Sequence, residues 1–336
     1  MKLKTLIVLV LAMTVLIALP AANAAIAPPE EQRLVVYTSH KEDVYAPILR
    51  EFENRTGIWV SVVAGGTTEM LERISFEAEA PICDVMFGGG VESLTAYSQY
   101  FTLPPEELAA QVDPRYLQEG SRWLPFSSLP IVIVYNTRLI GSREPQGWLS
   151  LFEDRFTGRI AYADPSVSGS SFTALFTLLT VLPEADTLGR FVHALKGRVL
   201  SGSGDVVTAV ANGSCTVGIT LEETALKAIA SGLDIAMVHP EEGTSAVPDG
   251  AAIISGCPHP ENAAAFLRFI LSRDVQTRLS AQMYRRPVLA DVPLDSGSFE
   301  PFILIAYNID LAGEQKAGLL TNWNEVLVKS VEERLP

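Results

Sequence analysis

Two hydrophobic grammars alternate along this chain. Leu34-Val35-Val36-Tyr37 is a short apolar run that ends in the polar Thr38-Ser39-His40. A run of that length with polar flanks predicts a buried strand. After it, Val44, Ile48, Leu49 and Phe52 fall on one helical face, and Gly57 stands as the stop. Pro47 is tolerated only in a first turn, so the regular helix is expected to start late. A second strand, Ile58 to Val63, ends in Ala64-Gly65-Gly66-Thr67-Thr68, with a helix expected from Glu69 to Ala78. A third, Asp84 to Phe87, ends in Gly88-Gly89-Gly90. Strand, loop and helix in repeated succession predict an α/β sheet.

The same succession returns further on. Ile131 to Tyr135 and Arg159 to Ala163 read as strands, the latter followed by Asp164-Pro165-Ser166-Val167-Ser168-Gly169-Ser170-Ser171 and an apolar helix from Phe172 to Leu182. Val217 to Ile219 is a strand that ends in Thr220-Leu221-Glu222-Glu223, with a helix to Ser231. Ile235 to Val238 and Ala251 to Ile254 are further strands. Glu261 to Leu271 and Val275 to Gln282 form a helical pair, and helix is expected again from Gly318 onward. In open α/β sheets ligands bind beyond the carboxyl ends of the strands. The polar, Gly-rich loops at those ends are therefore the candidate site.

The first 24 residues stand apart from this pattern. Lys2 and Lys4 precede an apolar run from Leu6 to Leu19, Pro20 breaks it, and Ala22-Asn23-Ala24 offers small residues for cleavage. This predicts a secretory signal peptide, with export to the periplasm or the extracellular space. No cysteine follows the apolar run, so a lipoprotein is not expected. Composition agrees with a folded, exported protein: 336 residues, 48% hydrophobic and 19% charged, are too apolar for a disordered chain. A formal charge of −14 argues against binding nucleic acid through bulk charge. Cys83, Cys215 and Cys257 have no zinc-site spacing. They are either buried thiols or one disulfide plus a free thiol, and three pairings are open.

Each loop has a plain structural reading beside a functional one. Ser168-Gly169-Ser170-Ser171 opens a helix, where free N–H groups and the helix dipole favour an anion; an N-cap needs only one of those serines. Thr67 and Thr68 after Gly65-Gly66 have the same form, and Ser203 before Gly204 is a weaker case. Gly89, in Gly88-Gly89-Gly90, lets a ligand touch backbone or simply lets the chain turn, and the glycines do not complete a dinucleotide fingerprint. Glu222 and Glu223 either complement a helix dipole or face a ligand's ammonium, hydroxyls or cation. His40, beside Ser39, is a ligand contact, a metal ligand or a cap. His193, His239 and His259 have no metal spacing, and Arg285-Arg286 is either anion charge or a salt-bridged pair. No nucleophile elbow, zinc-protease motif or phosphate-binding loop is present, so no catalytic residues and no cofactor are assigned.

The segment Val35-Val36-Tyr37-Thr38-Ser39-His40-Lys41-Glu42, with Gly-Arg-Ile-Ala-Tyr-Ala-Asp-Pro-Ser at 158–166 and Ser-Gly-Ser-Ser after it, resembles the extracellular solute-binding proteins of ABC importers. The resemblance is to the ferric-ion-binding branch, which also holds binders of 2-aminoethylphosphonate and of sugar phosphates. It implies a two-lobed type II periplasmic binding protein fold, each lobe a mixed, mostly parallel sheet flanked by helices. Lobe 1 is expected at 25–132 plus 250–295, and lobe 2 at 133–249 plus 296–336. The implied partners are a small anionic ligand and a membrane permease with its ATPase, the chain itself being a monomer and not an enzyme.

Ferric binders of this family hold iron with a histidine, an acidic residue and two adjacent tyrosines beside a synergistic anion. His40 falls where the histidine would be, but Glu222-Glu223 stand at the tyrosine positions. The acidic-ligand loop reads Gly88-Gly89-Gly90, with Glu92 slightly further on. Ser168, Gly169 and Ser170 fall where the family binds phosphate, with Ser203 and Thr220 near its other anion contacts. That combination points to a phosphonate or phosphorylated organic anion. Iron held by His40, Glu222 and Glu223 with a synergistic anion is the alternative. A sensor subunit and a secreted phosphate-ester enzyme are the remaining classes.

Overall fold

The computed structural model describes residues 28–141, 143–294 and 299–332. The expected signal peptide and the expected boundary at 295/296 lie outside them. The elements that frame the site are β1 (Arg33–Thr38), α1 (Glu42–Thr56), β2 (Trp59–Ala64), α2 (Thr67–Phe76), β3 (Val85–Gly90), α3 (Val91–Ala96) and β4 (Leu124–Asn136). They are followed by β5 (Ile160–Ala161), α4 (Gly169–Val181), α5 (Thr187–Leu195), α6 (Gly204–Ala211), β6 (Val217–Leu221), α7 (Glu222–Ala230), β7 (Ile235–Val238) and β8 (Ala246–Ile253). Helices α8 (Pro260–Ile270), α9 (Arg273–Met283) and α10 (Ile309–Glu332) close the chain.

The strands lie in the order β2-β1-β3-β8-β4-β6-β5, with β7 also on β4. β1 pairs with β2 and β3 in parallel, and β5 with β6. Every antiparallel pairing between these strands involves β4 or β8. The long β4 joins the two halves of the sheet. From Leu124 to Pro130 it pairs with β8, from Ile131 with β6, and from Ile133 also with β7. The change of neighbours falls at Pro130, a residue with no N–H to donate to a ladder. Only Ile131 to Tyr135, in the second half of β4, was expected; the strand begins at Leu124.

Two main apolar cores follow from this division. One gathers Leu34, Val36, Val85, Phe87, Phe126 and Phe266; the other gathers Ile131, Ile133, Trp148, Phe191, Ile219 and Trp323. Helix α1 lays Val44, Ile48, Leu49 and Phe52 on the first core, and its last turn closes on Gly57 at φ 71°. Pro47 is its sixth residue, not a first-turn residue, and the helix starts at Glu42. Helix α10 begins at Ile309, nine positions before the expected Gly318, and sends Trp323 into the second core. All three cysteines are free and buried.

Replacing Trp323 by alanine removes the largest fixed side chain α10 gives to the second core. A loss of about 3–5 kcal/mol is expected. Denaturant unfolding followed by far-UV circular dichroism measures it, and a loss under about 1 kcal/mol would show that α10 is not integral to the fold.

Candidate functional site

The loops after β1, β2 and β3 converge. Gly88 and Gly89 hold positive φ, 108° and 90°. A methyl group at Gly89 would lie 2.7 Å from Thr67 Cγ2 and 3.6 Å from Ser39 Oγ, and one at Gly88 would lie 3.1 Å from Ser39 Oγ. Glycine is thus required for both backbone and space, and it brings Ser39, Thr67 and Gly89 together. Thr68 is exposed in the first turn of α2, whose cap is Gly66, with the Glu69 side chain accepting from its N–H at 3.2 Å.

The facing wall is the start of α4. Ser168 is its N-cap: Oγ accepts from the Ser171 N–H at 3.3 Å and lies 3.1 Å from Ser171 Oγ and 3.2 Å from Ser170 Oγ. One serine is consumed as a cap. The N–H groups of Gly169 and Ser170 are not used by the helix, as expected of a first turn. Gly169 is exposed with open space beside it. The two walls meet where Thr173 Oγ1 donates to Glu92 Oε1 at 2.9 Å, linking α4 to the first turn of α3 directly after the glycine loop. Glu92 is buried, burial raises its carboxyl, and Oε2 has no hydrogen-bond partner. Ser203 is half-buried at the N-cap of α6 with no side-chain cap bond, and Thr220 is buried near the end of β6.

Glu222 and Glu223 lie in a network of ion pairs. Both open α7 and are buried, and both are held by cations. Arg286 grips Glu222 in a fork, Nε to Oε2 and Nη2 to Oε1, each 2.7 Å, and His239 Nε2 sits 2.8 Å from the same Oε1. Burial pushes the Glu222 carboxyl up, but the Arg286 and His239 hydrogen bonds more than offset it and leave it below the ordinary carboxylate range. Phe302 stacks on His239 with centroids 5.0 Å apart and lies under the Arg286 guanidinium at 4.7 Å. Glu223 receives Lys227 Nζ at 2.6 Å and Arg285 Nη2 at 3.0 Å. Arg285 continues to Asp249 and to Ser127 Oγ, the latter at 3.0 Å, and Asp249 in turn accepts the Ser127 N–H at 2.9 Å. Lys227 reaches Asp43 on α1 at 2.8 Å. Arg285-Arg286 is thus a salt-bridged pair.

His40 stands at the edge of this network. Its Nδ1 is 3.6 Å from Asp249 Oδ2, and its ring packs edge-on against Phe87 at 4.5 Å. Nε2 is buried without a partner. Burial holds the imidazole down to about 4 despite the neighbouring Asp249, so it is neutral at pH 7. Among the described residues no group of three His, Cys, Asp or Glu side chains is arranged to hold a metal. His259 serves the fold: Nδ1 lies 2.9 Å from Asp84, whose carboxylate also takes the Val35 N–H at 2.7 Å. His193 lies exposed on α5. Asp249, Ser127 and His239 were not singled out as site residues, because each acts through a partner remote in sequence.

A matched protein-family model places these features in context. Residues 94–305 match the model for bacterial extracellular solute-binding proteins. The chain belongs to this family, and its fold is the two-lobed type II periplasmic binding fold. It is 26% identical over 328 residues to iron uptake protein A1 of Synechocystis sp., covering 91% of this chain and 90% of that one. It is 23% identical to a Salmonella typhi periplasmic protein described as a candidate 2-aminoethylphosphonate binder, covering 82% of this chain and 81% of that one. Among solved structures it superimposes with a TM-score of 0.78, at 22% identity, on the periplasmic binding protein AfuA of Actinobacillus pleuropneumoniae with fructose-6-phosphate bound, covering 88% of this chain and 98% of that one. Among the described residues no helix is long and apolar enough to cross a membrane.

Two consequences are measurable. An imidazole held near 4 against 6.5 when unfolded leaves stability intact above pH 6.5 and removes it as pH falls from 6.5 through 4. The loss due to His40 is about 3 kcal/mol. His40→Gln should flatten the stability profile over that window by this amount, and superimposable profiles would contradict the neutral buried ring. Arg286→Leu strands the Glu222 carboxylate and should cost about 3–5 kcal/mol, much of it recovered when Glu222→Leu is added. Chemical denaturation of both single variants and the double variant reads these values; a double-variant loss equal to the sum of the single losses would show that the pair is not coupled.

Proposed function

We propose that this chain is the exported solute-binding component of an ABC importer, which captures a small phosphonate or phosphorylated organic anion between its lobes and delivers it to a membrane permease driven by an ATPase. The anion is held at the start of α4 by the N–H groups of Gly169 and Ser170 and the hydroxyls of Ser168, Ser170 and Ser171, with Ser203 and Thr220 beside them. Ser39, Thr67, Thr68 and Gly89 offer further donors from the opposite wall, and His40 lies at its base. A ligand that touches both walls stabilises the closed form and so shifts a two-state hinge. The chain binds and releases its solute without turnover.

The observation that carries this reading is the division of labour between the two ends of the site. Hydroxyls and spare N–H groups line the anion end, while the carboxylates of Glu222 and Glu223 are already neutralised by Arg286, Arg285 and Lys227. They frame the floor and take no ligand. Phosphonate and sugar-phosphate relatives and neighbours support the class.

A second reading rests on His40. A ring whose Nδ1 faces a carboxylate, with Nε2 buried and unpartnered, is the geometry of an oriented metal ligand, and an iron-uptake relative is among the matches. Ferric ion with a synergistic anion is therefore the competing cargo.

Thermal unfolding with a ligand panel separates the two. One arm carries 2-aminoethylphosphonate, other phosphonates and hexose phosphates; the other carries ferric ion with citrate. A ligand at about 1,000 times its dissociation constant adds about 4 kcal/mol, or several degrees at this chain size. A shift in the organic arm, lost in Ser170→Glu, is expected. A shift with iron alone, lost in His40→Ala and retained in Ser170→Glu, would overturn the anion reading.

A further inference from the structure

The opposite edge of the second half carries a feature the cleft does not use. Arg159 precedes β5 and Thr216 precedes β6, so this is the amino-terminal edge of two parallel strands, whereas the loops at 164–171 and 220–223 leave their carboxyl ends. A cavity of about 540 Å³ opens there, lined by Arg159, Lys196, Arg198, Ser214 and Thr216 among others, with no acidic residue in its wall. The three cations are exposed, and none has an ion-pair partner among the described residues. The chain carries 39 acidic and 25 basic residues, so three cations with no acidic residue in their shared wall stand out.

The cluster is built rather than scattered. Arg198 Nη1 donates to the Gly158 carbonyl at 3.0 Å, which fixes its guanidinium and leaves its other N–H groups free. Lys196 ends α5 in the left-handed region, at φ 48°, where glycine is the ordinary residue. Its stem lies over Gly158, where a methyl would sit 3.2 Å from Lys196 Cδ. A lysine is thus kept at a backbone position that disfavours it, and the residue beneath is one that makes room for it. Like charges held together repel unless something neutralises them, and the surrounding acidic surface does not. Two guanidinium groups and an ammonium lining one cavity suit the oxygens of a multiply charged oxyanion.

We propose that this pocket is a second binding site, for a small free polyanion of the phosphate class, separate from the cleft and independent of which solute the cleft carries.

Isothermal titration with inorganic pyrophosphate at low and high salt tests this on five proteins: wild type, Ser170→Glu, Lys196→Gly, Arg159→Ser/Lys196→Gly, and Ser170→Glu/Arg159→Ser/Lys196→Gly. Binding is expected to survive in Ser170→Glu, to weaken steeply with salt, and to fall about a hundredfold in the combined protein, roughly tenfold per cation removed. Lys196→Gly alone should raise the melting temperature while weakening pyrophosphate binding, an opposition that a lysine with a purely structural role would not show. Pyrophosphate affinity unchanged by Arg159→Ser/Lys196→Gly in the Ser170→Glu background would overturn the proposal. So would the absence of any pyrophosphate binding to Ser170→Glu. Neither result bears on the panel of organic ligands at the cleft.

Discussion

A carboxylate placed where one strand changes its neighbours must find a cation there. Glu222 begins α7 directly after β6, beside the point where β4 leaves β8, and it is almost wholly buried. An uncompensated charge at that depth would cost several kcal/mol. Arg286 supplies the fork, His239 the third contact and Phe302 the apolar cover. Arg285 repeats the device with Glu223 and Asp249. These bonds tie the backbone near Ser127 and Ser128, in the first half of β4, to α7, which packs with the second half. Ion pairs thus span the seam between the two halves that β4 joins.

That arrangement has a consequence for the site. The hydroxyls of the Ser168–Ser171 turn and of the loops after β1 and β2 take no part in these ion pairs. The exposed Lys227–Asp43 bridge joins α7 to α1 across the same seam. Exposed pairs contribute little to stability, so this contact can break and reform without a large penalty.

Much of the fold was legible because its signals are local. The apolar run Leu34 to Tyr37, the helical face of Val44, Ile48, Leu49 and Phe52, and the polar loops at strand ends depend on near neighbours. Those loops do converge, and Ser168 does cap a helix while leaving its neighbours' N–H groups open. What escaped depends on distant partners. Ser127 and Ser128 look like loop residues until Asp249 and the Arg286 carbonyl pair with them in the sheet. That Glu222 and Glu223 pair with Arg286 and Arg285 could not be read locally, because those partners lie far along the chain. Pro47 looked like a helix start, yet α1 tolerates it a turn further in, because its buried face binds the first core.

The most direct test of the account is a crystal structure of the protein grown with 2-aminoethylphosphonate. It predicts phosphonate oxygens within hydrogen-bond distance of the Gly169 and Ser170 N–H groups, with the Glu222–Arg286 fork intact beneath. A ligand accepted by Glu222 with Arg286 displaced would contradict it, as would a phosphonate bound away from α4.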